Sequence, residues 1–465
     1  MSRRFDPLTG EVIPVFFHYA IPSVIGILAA TSAGIIDGFF IGNFVGADAL
    51  AAVNISMPAF YLFAAVVFML AIGGSVMCGK YIGEENIPAA QGIFSKSLYA
   101  SFVVSSLLVV LGLVFIDTVI RALGANAELH PLVRDYMTII LAAAPLLIIG
   151  FTLDFFVRID NRPVLAASAL VFFAVANVAL NWLFIVKLGW GLKGAAWATA
   201  IAEAGIVLIL GSHLFHPQCT LKLIRVPFRW KQGWDEIFRA AWNGFSEFAN
   251  EVSIGLVTLL FNWVMISRMG VSGVAAFTIV GYLLMLGIEV CYGFSDSLNP
   301  TVSKNLGARR ADRITRFVTT AVISSVIVGM LVSALFVFFP EFLVSIFLQD
   351  DEIETRNIAL AFIAVFWPAF LFNGSNIALA AYFTAMHKPA QSATIAVSRS
   401  LVMPGLGLLL LPMWLGDLGV FVAVPVAEAV TLLVATLLVW LNRPSRLVAQ
   451  LPPLEPGQTV EEESS

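Results

Sequence analysis

IGILAATSAGIIDGFFIGNFVG, residues 25–46, carries one carboxylate, Asp37, inside an apolar stretch. About 20 apolar residues cross a bilayer as a helix, so Asp37 falls within a membrane span. A charge at mid-membrane costs roughly 2.5–3.5 kcal/mol on insertion scales, and such residues mark ion or proton routes. The alternative is a carboxylate that caps or hydrogen-bonds helices near the outer end of the span.

Outward from this stretch the chain keeps the same character. Of 465 residues, 59% are hydrophobic and 12% charged, and the mean hydropathy is +0.92. The reading is an all-α polytopic membrane protein. With a net charge of −4 and no basic stripe interleaved with aromatics, nucleic acid is excluded as a partner. Cys78, Cys219 and Cys291 have no metal or redox spacing and read as small packing residues. The first apolar segment is longer than a signal h-region and reads as a retained helix. The final PPLEPGQTVEEESS reads as a disordered tail.

Gly, Pro and charged clusters divide the chain into twelve expected spans: 14–40, 51–79, 94–116, 136–158, 163–187, 194–214, 242–266, 275–303, 317–339, 357–386, 392–414 and 419–441. With the N-terminus inside, Arg121, Arg134, Lys187, Lys193, Arg268 and Arg356 fall on outer segments. The rest of the 26 Lys and Arg, Arg399 among them, fall on inner ones. That bias puts both termini in the cytoplasm. HPQCTLKLIRVPFRWKQGWDEIFR (216–239) is basic and amphipathic and reads as a cytoplasmic linker along the membrane surface. The expected parts are an N-lobe (1–215), the linker (216–239), a C-lobe (240–445) and the acidic tail (446–465).

The two lobes repeat. A shift of 224 residues lays Gly46-Ala-Asp-Ala-Leu-Ala-Ala on Gly270-Val-Ser-Gly-Val-Ala-Ala and Gly83 on Gly307. A shift of 225 lays GAAWATAIAEA (194–204) on GVFVAVPVAEA (419–429), Glu203 on Glu428. Six spans per lobe give both the same direction, hence two pseudo-symmetric six-helix lobes, parallel repeats around a central cavity.

The repeat shows what each lobe owns alone. Asp37 meets Phe261, Asn177 meets Val402, Asn181 meets Leu406 and Thr199 meets Val424. Asn177 and Asn181 are one helical turn apart on one face, and depth places all four in the outer half of the N-lobe. Carboxylate, amide and hydroxyl oxygens are what a hard cation takes; the other occupant is a proton on Asp37. The plain alternative for the asparagines is interhelical glue.

The C-lobe has private acids: Glu247 and Glu251, four apart, then Glu289 and Asp296. Glu247, Glu251 and Glu289 are expected to line the inner half of a cavity suited to amphiphilic organic cations, while Asp296 is expected to pair with an inner arginine. FNGSN (372–376) reads as a kink lining the cavity, with Asn373 and Asn376, or as a close helix crossing. Glu203 and Glu428 occupy equivalent positions and read as scaffold. No nucleophile–base or metal constellation is visible, so no enzyme is expected.

These segments resemble the multidrug and toxic compound extrusion (MATE) family: IPSVIG and DGFFIGNFVGADALAA in spans one and two, KYIGEEN and its repeat KNLGARRADR, NVALNWLF followed by GAAWATAIAE, and AYFTAMHKP. The resemblance covers nearly all of 14–441. It implies extrusion of organic cations in exchange for Na⁺ or H⁺ without a cofactor, and a cation site at Asp37, Asn177, Asn181 and Thr199. Two departures stand out: Asn181 is often Asp in the family, and the span-ten acids of one branch are absent. The expectation is a monomeric antiporter of the bacterial inner (plasma) membrane that extrudes drugs and dyes. A flippase or exporter of a lipid-linked or other metabolite is the alternative.

Overall fold

In lipid a backbone must satisfy its own hydrogen bonds, so an apolar chain that spans it becomes helical. The computed structural model describes residues 3–226, 233–347 and 352–452, and these hold helices and no strands. In the N-lobe the membrane-length helices are α1 (Val12–Phe44), α2 (Ala47–Gly83), α3 (Ile87–Val114), α4 (His130–Ile159), α5 (Pro163–Lys187) and α6 (Gly191–Phe215). A short amphipathic α7 (Asp235–Asn243) follows. The C-lobe has α8 (Phe245–Gly270), α9 (Ser272–Gly307), α10 (Ala311–Phe338), α11 (Ile353–Phe366 and Ala369–Ala385), α12 (Pro389–Leu415) and α13 (Ala423–Ala449). The two pieces of α11 are bent by 60°, immediately before and after Pro368, whose ring removes a helix hydrogen bond. Counting that pair as one span gives twelve, in the order expected.

Local signals set the ends. Asn86 caps α3 by accepting from the Ala89 N–H at 3.1 Å, and α4, α5 and α12 each have a proline in the first turn. The repeat is visible in the turns. Gly46 (φ 125°) separates α1 from α2, and its counterpart Gly270 (φ 64°) separates α8 from α9; both need the freedom of a missing Cβ. The ordered chain runs past 446, where a tail was expected. Pro444–Ala449 is helical with Leu447 buried, because Leu447 joins the apolar core on α10. Residues 453–465, and 227–232 of the expected linker, lie outside the described residues.

The lobes meet on the face that carries the linker and both ends of the chain. There Val15, Phe16, Tyr19 and Ala20 of α1 share one core with Phe294, Leu298, Val302 and Leu306 of α9. Two other cores lie within a single lobe. At one close crossing α2 meets α9 backbone on backbone. A Cβ on Gly83 would sit 2.0 Å from the Lys304 carbonyl oxygen, and one on Gly307 2.0 Å from that of Lys80. These two glycines are repeat partners, so the pseudo-twofold axis passes beside them. Arg158 adds a polar bridge: its guanidinium donates to Ser23 at 2.7 Å and to Asp296 of the other lobe at 3.2 Å, and pairs with Asp154 at 2.8 Å. Lys304 reaches back to Asn161 at 2.7 Å, which also accepts from Tyr19. On the opposite face, the ion pairs Lys193–Asp135, Arg356–Glu341 and Arg268–Asp417 each stay within one lobe.

Candidate functional site

Asp37, Asn177, Asn181 and Thr199 come together from three helices. Asn181 Nδ2 donates to Asp37 Oδ1 at 2.7 Å and to Asn177 Oδ1 at 3.0 Å, and Asn177 Nδ2 donates to Thr199 Oγ1 at 3.2 Å. Both asparagines are buried, at 2% and 0% exposure, while Asp37 is half-buried. Asn177 and Asn181 share a face of α5 by helical spacing, and α5 turns π-helical directly after Asn181, at Trp182–Lys187. Such bulges concentrate at functional positions. Asn181 Oδ1 is buried and has no hydrogen-bond partner. A spare amide oxygen beside a carboxylate is a donor set that fits a hard cation.

The C-lobe acids separate into two groups. Glu247 and Asp296 line a cavity of about 40 Å³ with Asn250, Tyr292, Asn299 and Arg399. Glu251 and Glu289 do not line it. Glu251 lies near enough for its charge to reach Glu289 and, on α2, Tyr61. Asp296 has the arginine partner expected for it, Arg158.

Asn373 and Asn376, expected in the substrate cavity, both hydrogen-bond to one buried carboxylate. Asn373 Nδ2 donates to Glu428 Oε1 at 2.7 Å, and Asn376 Nδ2 to Glu428 Oε2 at 2.7 Å. Arg399 Nε completes the cluster on Oε1 at 3.3 Å. A buried carboxylate is retained only when paired and hydrogen-bonded, and these three side chains satisfy that demand. Gly374 between them also allows a close crossing, since a Cβ there would lie 2.7 Å from Cys291 Sγ. Of the two readings of FNGSN, the close crossing fits Gly374, while the bend of α11 lies earlier, at Pro368.

Arg399 was counted with the inner loops, yet it is 9% exposed and sits in a π-helical turn (Ser398–Val402) inside α12. It also reaches Tyr292, at 3.4 Å. Its place eight residues into the expected span 392–414 was the available signal, because an arginine within a span marks function.

At the linker face Asp160 gathers two donors. His213 Nε2 lies 2.7 Å from Asp160 Oδ2, and the Thr220 N–H donates at 3.0 Å. Cys219 lies beside them, its thiol donating to the Leu221 carbonyl at 3.4 Å, and the ligand atoms of Asp160, His213 and Cys219 lie within 4.8 Å of one another. Burial, then the Asp160 charge, pushes the Cys219 thiol up to about 11. It is therefore protonated at neutral pH, and the Asp160 hydrogen bonds to His213 and Thr220 form a clamp on the linker. Burial alone would raise the Asp160 carboxyl, but the His213 and Thr220 bonds outweigh it and hold it below its ordinary 3.8. With the folded value below the unfolded one, the clamp stabilises above the ordinary carboxylate range and fails as pH falls through the folded value. Asp160→Asn is expected to cost about 1–3 kcal/mol at neutral pH. In thermal melts the gap from the unchanged protein should narrow as pH is taken below 3.8; a gap independent of pH would assign the effect to packing.

Comparison with known proteins agrees with this architecture. The family model described as MatE matches residues 22–183 and 249–409, one match in each lobe. An FAD transporter of Shewanella oneidensis is 27% identical over 444 residues, covering 92% of this chain and 94% of that protein. The multidrug export protein MepA of Staphylococcus aureus is 23% identical over 439 residues, covering 93% and 95%. Among solved structures, an outward-facing multidrug resistance MATE family transporter of the MOP superfamily superposes with a TM-score of 0.87. It is 23% identical, with 96% of this chain and 97% of that one covered. A polytopic helical fold in two repeated lobes and a family match across both make the chain a member of the MATE family, a membrane exporter and not an enzyme.

Proposed function

We propose that the chain is a cation-coupled antiporter that extrudes amphiphilic organic cations, with the linker face in the cytoplasm of a bacterial inner membrane. The hydrogen-bonded chain Asp37–Asn181–Asn177–Thr199 carries the reading. Na⁺ or H⁺ arriving from outside is held there by Asp37, with the free Asn181 oxygen as a further ligand for Na⁺. An ion can drive the cycle only by differing in affinity between the two lobe arrangements. The acids Glu247, Glu251 and Glu289 attract the cationic cargo from the cytoplasmic half. The cofactor-free monomer is complete for this cycle, with the lipid bilayer as its surroundings.

In proteoliposomes, dye efflux is expected to stop when the gradient of the coupling ion is collapsed and to survive collapse of the other. Efflux that survives collapse of both would end the antiport reading. One observation favours a second cargo class: the FAD transporter of S. oneidensis is similar over nearly the whole chain. FAD supplied in place of dye in the same vesicles separates a metabolite exporter from a drug exporter.

A further inference from the structure

Glu203 lies on α6 one turn from Thr199, on the same face, and so directly on the linker side of the Asp37 cluster. It is 6% exposed, and among the described residues it has no hydrogen bond or ion pair. Its repeat partner Glu428 has an arginine and two asparagines on its oxygens. The shift that aligns the two glutamates puts Ala174 in place of Arg399, Ile148 in place of Asn373 and Phe151 in place of Asn376. Every partner is lost, while the acid is kept.

Glu203 also opens onto a space of its own. A cavity of about 10 Å³ is lined by Glu203, Leu146, Leu147, Phe151, Leu170 and Asp154, room for about one water. Gly150 packs on Ile206, which sets α4 beside α6 so that Glu203 lies at the outer end of the cavity and Asp154 at the linker end. Asp154 Oδ1 is buried without a partner. Its other oxygen holds Arg158, the residue that bridges the lobes to Asp296. The charged and titratable groups facing Glu203 are therefore few. They are Tyr136 and Asp154 on α4, the latter paired with Arg158, and Asp37 on α1 in the quartet.

An ionised carboxylate with no partner in such a place costs several kcal/mol, and neutralisation relieves it. We infer that Glu203 is a second proton-carrying carboxyl of the N-lobe, exchanging its proton with water in the Asp154 cavity only when the Arg158 bridge opens. The inference rests on the quartet being the coupling site, and it supplies the second acid that Asn181 does not provide. The step is a plain transfer: with the bridge open the Glu203 O–H bond breaks and the proton leaves on a water of the cavity, and once the bridge has closed the carboxylate takes up a proton delivered from the outer side by way of Asp37.

Two measurements test it on the purified and reconstituted full chain. Infrared difference spectra taken on alkaline titration are expected to show a protonated-carboxyl C=O band that Glu203→Gln removes, Asp37→Asn retains and Glu203→Asp shifts. Efflux driven by a proton gradient is expected to slow about tenfold in Glu203→Gln, within the range of coupling free energies, and to recover in Glu203→Asp. A spectrum and a pH profile unchanged in Glu203→Gln overturn the inference while leaving the quartet intact. If instead Asp37→Asn transports normally and the Glu203 band is still lost, the quartet reading falls and the proton on Glu203 stands. A glutamine variant that does not fold passes the decision to the Glu203→Asp spectrum, where an unshifted band overturns the inference.

Discussion

Asp37→Asn is expected to reduce gradient-driven dye efflux roughly 100-fold, near the upper end of known coupling energies, without loss of folded protein. The substitution keeps the shape of the site. An asparagine oxygen can still accept from Asn181 Nδ2 at the 2.7 Å seen for Asp37 Oδ1, so the contacts among α1, α5 and α6 survive. It removes the charge, and with it any difference in cation affinity between the two lobe arrangements. A ligand that binds both arrangements equally shifts nothing, however tightly it binds. Dye binding in detergent should be unaltered, because the acids that face the cargo lie in the C-lobe. Efflux at the unchanged rate would remove Asp37 from the cycle.

Arg399→Met should destabilise the C-lobe by about 3–5 kcal/mol, the cost of breaking a buried ion pair from one side. The loss leaves Glu428, 3% exposed, with only the Asn373 and Asn376 amides. The chain provides its own reporter, since Cys78, Cys219 and Cys291 are free and buried. Thermal unfolding followed by thiol alkylation will show the shift. Adding Glu428→Gln to Arg399→Met removes the stranded charge and should restore most of the stability, because a buried pair exchanged as a whole is often neutral. If the double variant melts no higher than Arg399→Met alone, the arginine contributes by packing and not by charge.

The twelve spans were legible because lipid permits one backbone solution and the apolar runs are long. Their ends were not. α2 runs from Ala47 to Gly83, beyond the expected 51–79, since helical hydrogen bonds continue into the interface after the apolar run stops. The Asp37 cluster could be read because the repeat singled out four oxygens without counterparts, and helical spacing placed two of them on one face. The hydrogen bonds of Asn373 and Asn376 were not legible, for the converse reason. Their partner, Glu428, is more than fifty residues away in sequence, and nothing local shows that a buried acid requires them. Arg399 was hidden by the bookkeeping of topology, which counts charges by segment and is blind to one inside a helix. For Glu203, equivalence to Glu428 concealed a difference in surroundings that only packing reveals.

The crossing of α2 with α9 has a mechanical consequence. At Gly83 and Gly307 main-chain atoms of the two lobes approach each other directly, so parting them at these two residues moves no side chain of theirs. Such a joint resists sliding but yields readily to rocking. Over a hydrocarbon thickness of about 30 Å, each degree of rocking carries the far rim about half an ångström. A few degrees at two glycines thus become a change in width of about 2 Å.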